Sequence, residues 1–149
     1  MSRWEYRLFH LSNGLVTITG FVYAWMLYCT TSTDEFALVN HPWQPHLLHM
    51  HVLFGPLLVL MLGHFSIRHA QTLWKSGVGE GRKTGLGLAL LSLPMVMSGY
   101  LLQISVQDSW RIAWVAIHLL TSGGWFIACL AHVVIHLLAR RMPAPSGST

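Results

Sequence analysis

His118 and His132 are the two residues of this 149-residue sequence whose type and spacing most directly suggest chemistry. Fourteen positions apart, they fall within about 40° of each other on one side of a helix, separated by roughly 21 Å of rise. One metal ion could not touch both. Two metal centres stacked along the helix could each take one, and neutral imidazole is the commonest metal ligand among side chains. The surrounding stretch, 112–139, contains no Asp, Glu, Lys or Arg. An ionisable side chain in so apolar a helix is expensive and points to function.

Three further charge-free stretches, 8–33, 36–67 and 84–107, divide the chain in the same way. Roughly 20 apolar residues span a bilayer core as a helix. Each stretch therefore predicts one crossing, at about 7–29, 45–69, 85–105 and 111–139. The expectation is an all-α, four-helix integral membrane bundle forming one domain over 1–142, followed by a Pro/Ser/Gly-rich tail at 143–149. Composition agrees: 53% of the residues are hydrophobic, only 9% are charged, and the mean hydropathy is +0.50. A water-soluble domain carries about a quarter charged residues, so an ordinary soluble globule is excluded. The net charge of +4 does not mark a nucleic-acid partner, because the basic residues are not gathered on one surface.

The basic residues instead orient the bundle. Arg3, Arg7, Arg68, Lys75, Arg82, Lys83, Arg140 and Arg141 fall at one end of the predicted spans, and Arg111 alone falls at the other, beside Asp34, Glu35 and Asp108. The positive-inside rule then places both termini in the cytoplasm. Trp4, Trp43, Trp74 and Trp110 lie near span ends and read as interface anchors. Helix 3 carries no histidine and has a scaffolding role; Pro94 lies within it, and Gly85, Gly87, Ser92, Ser98 and Gly99 give it small faces for packing. No internal repeat is evident. Cys29 and Cys129 are far apart, and no C-x-x-C-H motif provides for covalent haem attachment.

Each proposed centre needs a second ligand at matching depth. His51 lies about two turns into helix 2 from the outer side and pairs with His118. For His132 the candidates at the inner end are His10, His64 and, nearer the surface, His69. His51 and His64 are 13 apart, roughly 140° out of phase on a straight helix, so they should not face one groove. A ligand from helix 1, His10, avoids that conflict. Two imidazoles from facing helices suit a six-coordinate b-type haem. Gly55, Ser122, Gly123 and Gly124 leave room for a flat macrocycle, and the Phe and Trp side chains supply apolar walls. His41, His46 and His49 read as interfacial loop residues, and His136 as an interfacial or supporting one.

Arg7-Leu-Phe-His10, His51-x-x-Phe54-Gly55, Ser98-Gly99 and His118-x13-His132 together resemble a family. The chain is similar over nearly its whole length to the di-haem cytochrome b subunits that anchor formate dehydrogenases and nickel–iron hydrogenases, and to related small four-helix bacterial cytochromes b. The resemblance implies a multi-pass protein of the bacterial inner membrane holding two b-type haems. His51 and His118 would bind the periplasmic one; His10 and His132 would bind the cytoplasmic one, with His64 or His69 as alternatives to His10. It further implies a hetero-oligomeric oxidoreductase complex that moves electrons across the membrane. The partners would be a periplasmic redox protein (a multihaem cytochrome, an iron–sulfur or a molybdenum subunit) and the quinone pool, the latter near His132, Ser12, Asn13 and Thr84. The redox protein would dock around residues 30–46 and 106–110. The chain departs from the family in the depth of His10 relative to Gly20, in the extra His64 and His69, and in its outer His41-Pro-Trp-Gln-Pro45 segment.

Two other classes fit some of the same residues. His64-x4-His69 and His132-x3-His136 lie near the cytoplasm as in membrane desaturase-like di-iron enzymes, but the adjacent His-His pairs of such sites are missing. A cofactor-free membrane anchor subunit is the remaining class.

Overall fold

The computed structural model describes residues 2–71, 75 and 82–141, with the side chains of 69, 70, 82 and 139–141 outside that description. The loop tryptophan Trp74 and the tail 143–149 also lie outside it. The described chain is all-helical: α1 (Arg3–Tyr28), α2 (Gln44–Phe65) continued by a π turn (Ser66–Ala70), α3 (Arg82–Ile104) and α4 (Asp108–Arg141). It divides into two compact units at Gln71, the first carrying α1 and α2 and the second α3 and α4. Within each unit the two helices run antiparallel, as the pairings of His51 with Val16 and of His64 with Glu5 show for the first, and those of His118 with Met95 and His132 with Thr84 for the second.

Three helices, over Gln44–Arg68, Lys83–Ile104 and Asp108–Leu138, are long and apolar enough to cross a membrane. The fourth, α1, is long enough, but Ser12, Asn13, Thr17 and Thr19 dilute its apolar run. It also starts four residues before the expected boundary. Ser2 and Glu5 form a capping box: the Ser2 hydroxyl accepts from the Glu5 backbone N–H (3.2 Å), and the Glu5 carboxylate accepts from the Ser2 backbone N–H (2.6 Å). Helix α2 begins with Pro45 in its first turn, where a missing N–H costs nothing. The linker between them is tied back by Asn40, whose side chain donates to the Leu27 carbonyl (2.8 Å).

Among the described residues, apolar side chains are found both buried, as at Phe9, Leu58, Met61 and Met95, and exposed. The most buried side chains are hydroxyls, Ser12 and Ser98, while Leu53, Leu60, Leu90, Leu120 and Ile127 are exposed. Ser12 satisfies its proton on the Phe9 carbonyl of its own helix (3.0 Å). Small hydroxyl residues inside and large aliphatic ones outside suit helices surrounded by lipid, where close backbone approach drives association.

Candidate functional site

In the first hairpin, α2 presents His51 to α1. The Nδ1–H of His51 donates to the Val16 carbonyl oxygen (3.0 Å) and lies 3.3 Å from the Thr19 hydroxyl oxygen. Thr19 sends its own proton back to the Leu15 carbonyl (2.7 Å), which leaves its oxygen as an acceptor for the ring. A carbonyl can only accept, so the imidazole proton resides on Nδ1 and the lone pair on Nε2. The next residue, Gly20, makes the approach possible: a Cβ there would stand 2.8 Å from His51 Cε1.

The second hairpin repeats this arrangement position by position. The Nδ1–H of His118 donates to Met95 O (3.0 Å) and lies 3.2 Å from the Ser98 oxygen. Ser98 sends its proton to Pro94 O (2.6 Å), and a Cβ at the following Gly99 would lie 3.1 Å from His118 Cε1. In both hairpins the hydroxyl residue donates four positions back, the carbonyl three positions back receives the imidazole, and the glycine follows directly. Two unlike stretches of sequence thus build the same seat. The absence of an evident repeat in the sequence is corrected by this internal repeat in the structure.

Each hairpin has a second seat toward its open end. On α4, His132 places Nδ1 2.9 Å from the Thr84 hydroxyl, and Gly85 again lies beside the ring, 3.7 Å from Cε1 at its would-be Cβ. Thr84 and Ser98 are 14 residues apart on α3, as His118 and His132 are on α4. On α1, the position 14 before Thr19 is Glu5, and it receives His64. There the repeat breaks. Glu5 takes the place of the hydroxyl, Tyr6 takes the place of the glycine, and the ring approaches through Nε2, 3.0 Å from Glu5 Oε1. Arg68 stands 4.0 Å from the same carboxylate oxygen. The Glu5 carboxyl is held below its ordinary pKa, first by the Ser2 backbone N–H and then by its hydrogen bond with His64.

His51 and His64 both reach α1, although uniform helical phasing sets them roughly 140° apart. Pro56 lies between them, removing a backbone hydrogen bond. His10 is exposed on α1, with its ring against Tyr6 (centroids 4.9 Å apart) and Phe9 (5.5 Å). The His69 side chain lies outside the described residues. Before α2, His41 Nδ1 accepts from the Trp43 backbone N–H (3.2 Å); His46 and His49, expected in a loop, lie instead in the first turns of α2, where His46 packs edge-on to Trp43. His136 packs edge-on to His132, with centroids 4.6 Å apart.

Three histidines, His51, His118 and His132, therefore have Nδ1 engaged by a neighbouring helix. Metal-ligating histidines almost always direct their second ring nitrogen to such a partner, which fixes ring orientation and raises ligand basicity. Among the described residues, no three His, Cys, Asp or Glu side chains converge on one point. A Cβ at Gly55 or Gly123 would meet nothing within 4 Å, as at Gly14, Gly63 and Gly87. Sequence reasoning missed the seats themselves. The available signal was a Thr/Ser-Gly pair recurring at 84–85 and 98–99 with the same 14-residue interval as the histidines of α4. Compared with protein-family models, curated proteins and solved structures, the chain matches none of them.

Proposed function

We propose that this chain is a four-helix, di-haem b-type cytochrome of the bacterial inner membrane, with both termini cytoplasmic, carrying electrons between a periplasmic redox protein and the quinone pool. The observation that carries this reading is the matched pair of seats: His51 on Val16 and Thr19, His118 on Met95 and Ser98. In each, Nε2 bears the lone pair and the ring is held from behind, as an axial ligand must be. On this reading His51 and His118 would hold the periplasmic-side haem.

His132, seated on Thr84, is one ligand of the cytoplasmic-side haem. His10 would be the other, with His64 or His69 as alternatives; His10 makes ring contacts with Tyr6 and Phe9, and His64 directs Nε2 to Glu5. Such a haem would supply reversible one-electron transfer. The residues of the chain hold and orient; no acid–base step at a substrate is required of them. Eight of the nine Lys and Arg residues lie at the ends where the termini and the α2–α3 connection fall, and this supports the orientation. Quinone exchange belongs at that end, beside His132. The redox partner would dock around residues 30–46 and 106–110, where Phe36, Leu38 and Val106 are exposed.

Haem content of the purified protein tests the pairing. His51→Ala and His118→Ala should each remove one haem, and the double variant should lose no more than either single change. A double variant that loses both haems, or single variants that lose none, would overturn it.

A further inference from the structure

Arg7 folds back toward the start of α1, its guanidinium carbon standing over the Trp4 ring at 5.5 Å from the centroid. The level of that pair in the first hairpin is fixed by Glu5 between them, which receives His64 of α2 at 3.0 Å. The apolar span that contains His64 ends at Arg68. Trp4 and Arg7 therefore stand at the end of a membrane span, where hydrocarbon gives way to headgroups. An arginine at that level lays its stem along apolar surface and turns its charge outward, and an indole favours the same layer.

Among the described residues of its hairpin, Arg7 has no counter-ion. The acids of the first unit are Glu5, Asp34 and Glu35. Glu5 gives one carboxylate oxygen to the Ser2 backbone N–H and the other to His64, and it points roughly 160° around the helix from Arg7. Asp34 and Glu35 come after the far end of α1, roughly 30 Å of rise away. The ion pairs of the hairpin involve His64 and Arg68, not Arg3 or Arg7. The Trp4 ring attracts the cation but has no acceptor for the guanidinium N–H groups, so their planar fork is open to a bidentate anion.

An apolar track leads away from this cation. Trp4 (71% exposed), Leu8 (46%) and Leu11 (58%) lie within about 60° of one another on α1, along roughly 10 Å of rise. An anion-binding fork at the head of a hydrocarbon stripe is complementary to a phospholipid rather than to a free anion. Arg3, exposed nearby, adds a second positive charge, which a headgroup without a cation of its own matches best.

We propose that Arg7 and Trp4 form a seat for one anionic phospholipid. The guanidinium grips the phosphodiester, the indole lies against the glycerol region, and an acyl chain follows Leu8 and Leu11. The proposal depends on the chain spanning a membrane and on nothing about haem, so a colourless protein would leave it standing.

Native mass spectrometry of the full chain, released from micelles containing equal amounts of phosphatidylglycerol and phosphatidylcholine, tests the seat. The wild type should retain phosphatidylglycerol in preference, and Arg7→Gln should retain one molecule fewer per chain. Arg7→Lys, which keeps the charge but not the fork, should hold that lipid severalfold more weakly. Arg111→Gln, which removes one positive charge at the start of α4, should match the wild type. Equal retention of the two lipids by the wild type, or displacement of its phosphatidylglycerol by inorganic phosphate, would overturn the seat. So would an Arg7→Gln chain that retains the wild-type number, or an equal loss with Arg111→Gln, which would make the effect one of net charge.

Discussion

The Nδ1–H of His118 donates to the backbone carbonyl of Met95 across the α3–α4 hairpin at 3.0 Å, and Ser98 stands 3.2 Å from the same nitrogen. The carbonyl sets the tautomer, and the hydroxyl narrows the ring's rotation. Ser98→Ala removes only the second of these. Loss of a supporting hydrogen bond behind a ligating histidine typically costs 10–100-fold in affinity. Haem titration of the Ser98→Ala apoprotein should show that weakening at one site only, with the other site unchanged.

Glycine at positions 20 and 99 is a requirement of distance. A Cβ would meet His51 Cε1 at 2.8 Å and His118 Cε1 at 3.1 Å, and neither ring can retreat without giving up its carbonyl. Gly20→Ala and Gly99→Ala should each displace the ring and lose or weaken the same haem. At Gly87 a Cβ meets nothing within 4 Å, so Gly87→Ala should retain both haems and gain up to about 1 kcal/mol from helix propensity. Pigment content together with thermal unfolding in detergent separates the two behaviours.

The two inner candidates differ in what holds them. His64 is bonded to Glu5 through Nε2, whereas His10 makes only ring contacts among the interactions described. His10→Ala should remove one haem. His64→Ala should retain both haems and lower stability, because it breaks the tie between α2 and the start of α1. The opposite result would transfer the inner ligand to helix 2.

The charge-free stretches were enough to predict four helices near their observed places, because a charge is the one feature a lipid-embedded helix avoids strongly. Their ends were less legible. The capping box at Ser2 and Glu5 extends α1 backwards through charged residues that look like a flank. His51 and His64 both reach α1, against the roughly 140° separation that regular phasing predicts, and the one irregular residue between them is Pro56. The histidine seats were invisible for another reason. A backbone carbonyl, as at Val16 or Met95, leaves no trace in residue type, and a Thr-Gly or Ser-Gly pair occurs in many helices.

Glu5 gives the α1–α2 hairpin a pH dependence of known sign. Its carboxyl is held below the ordinary value by the Ser2 backbone N–H and by His64, so the ionised form is favoured by folding. That stabilisation is complete above the ordinary carboxylate pKa and is lost as pH falls through the lowered one. The difference in thermal stability between the wild type and Glu5→Gln should therefore be present at neutral pH and shrink toward zero in acid. A difference that stays constant across that range would show that Glu5 acts through shape alone.

The most direct measurement is the reduced-minus-oxidised absorbance spectrum of the purified chain, with haem counted per polypeptide, repeated after His118→Ala and His132→Ala. A di-haem b cytochrome gives two haems per chain with a sharp reduced α-band, one haem in each single variant and none in the double. A colourless wild type, or a double variant that keeps both pigments, would contradict it.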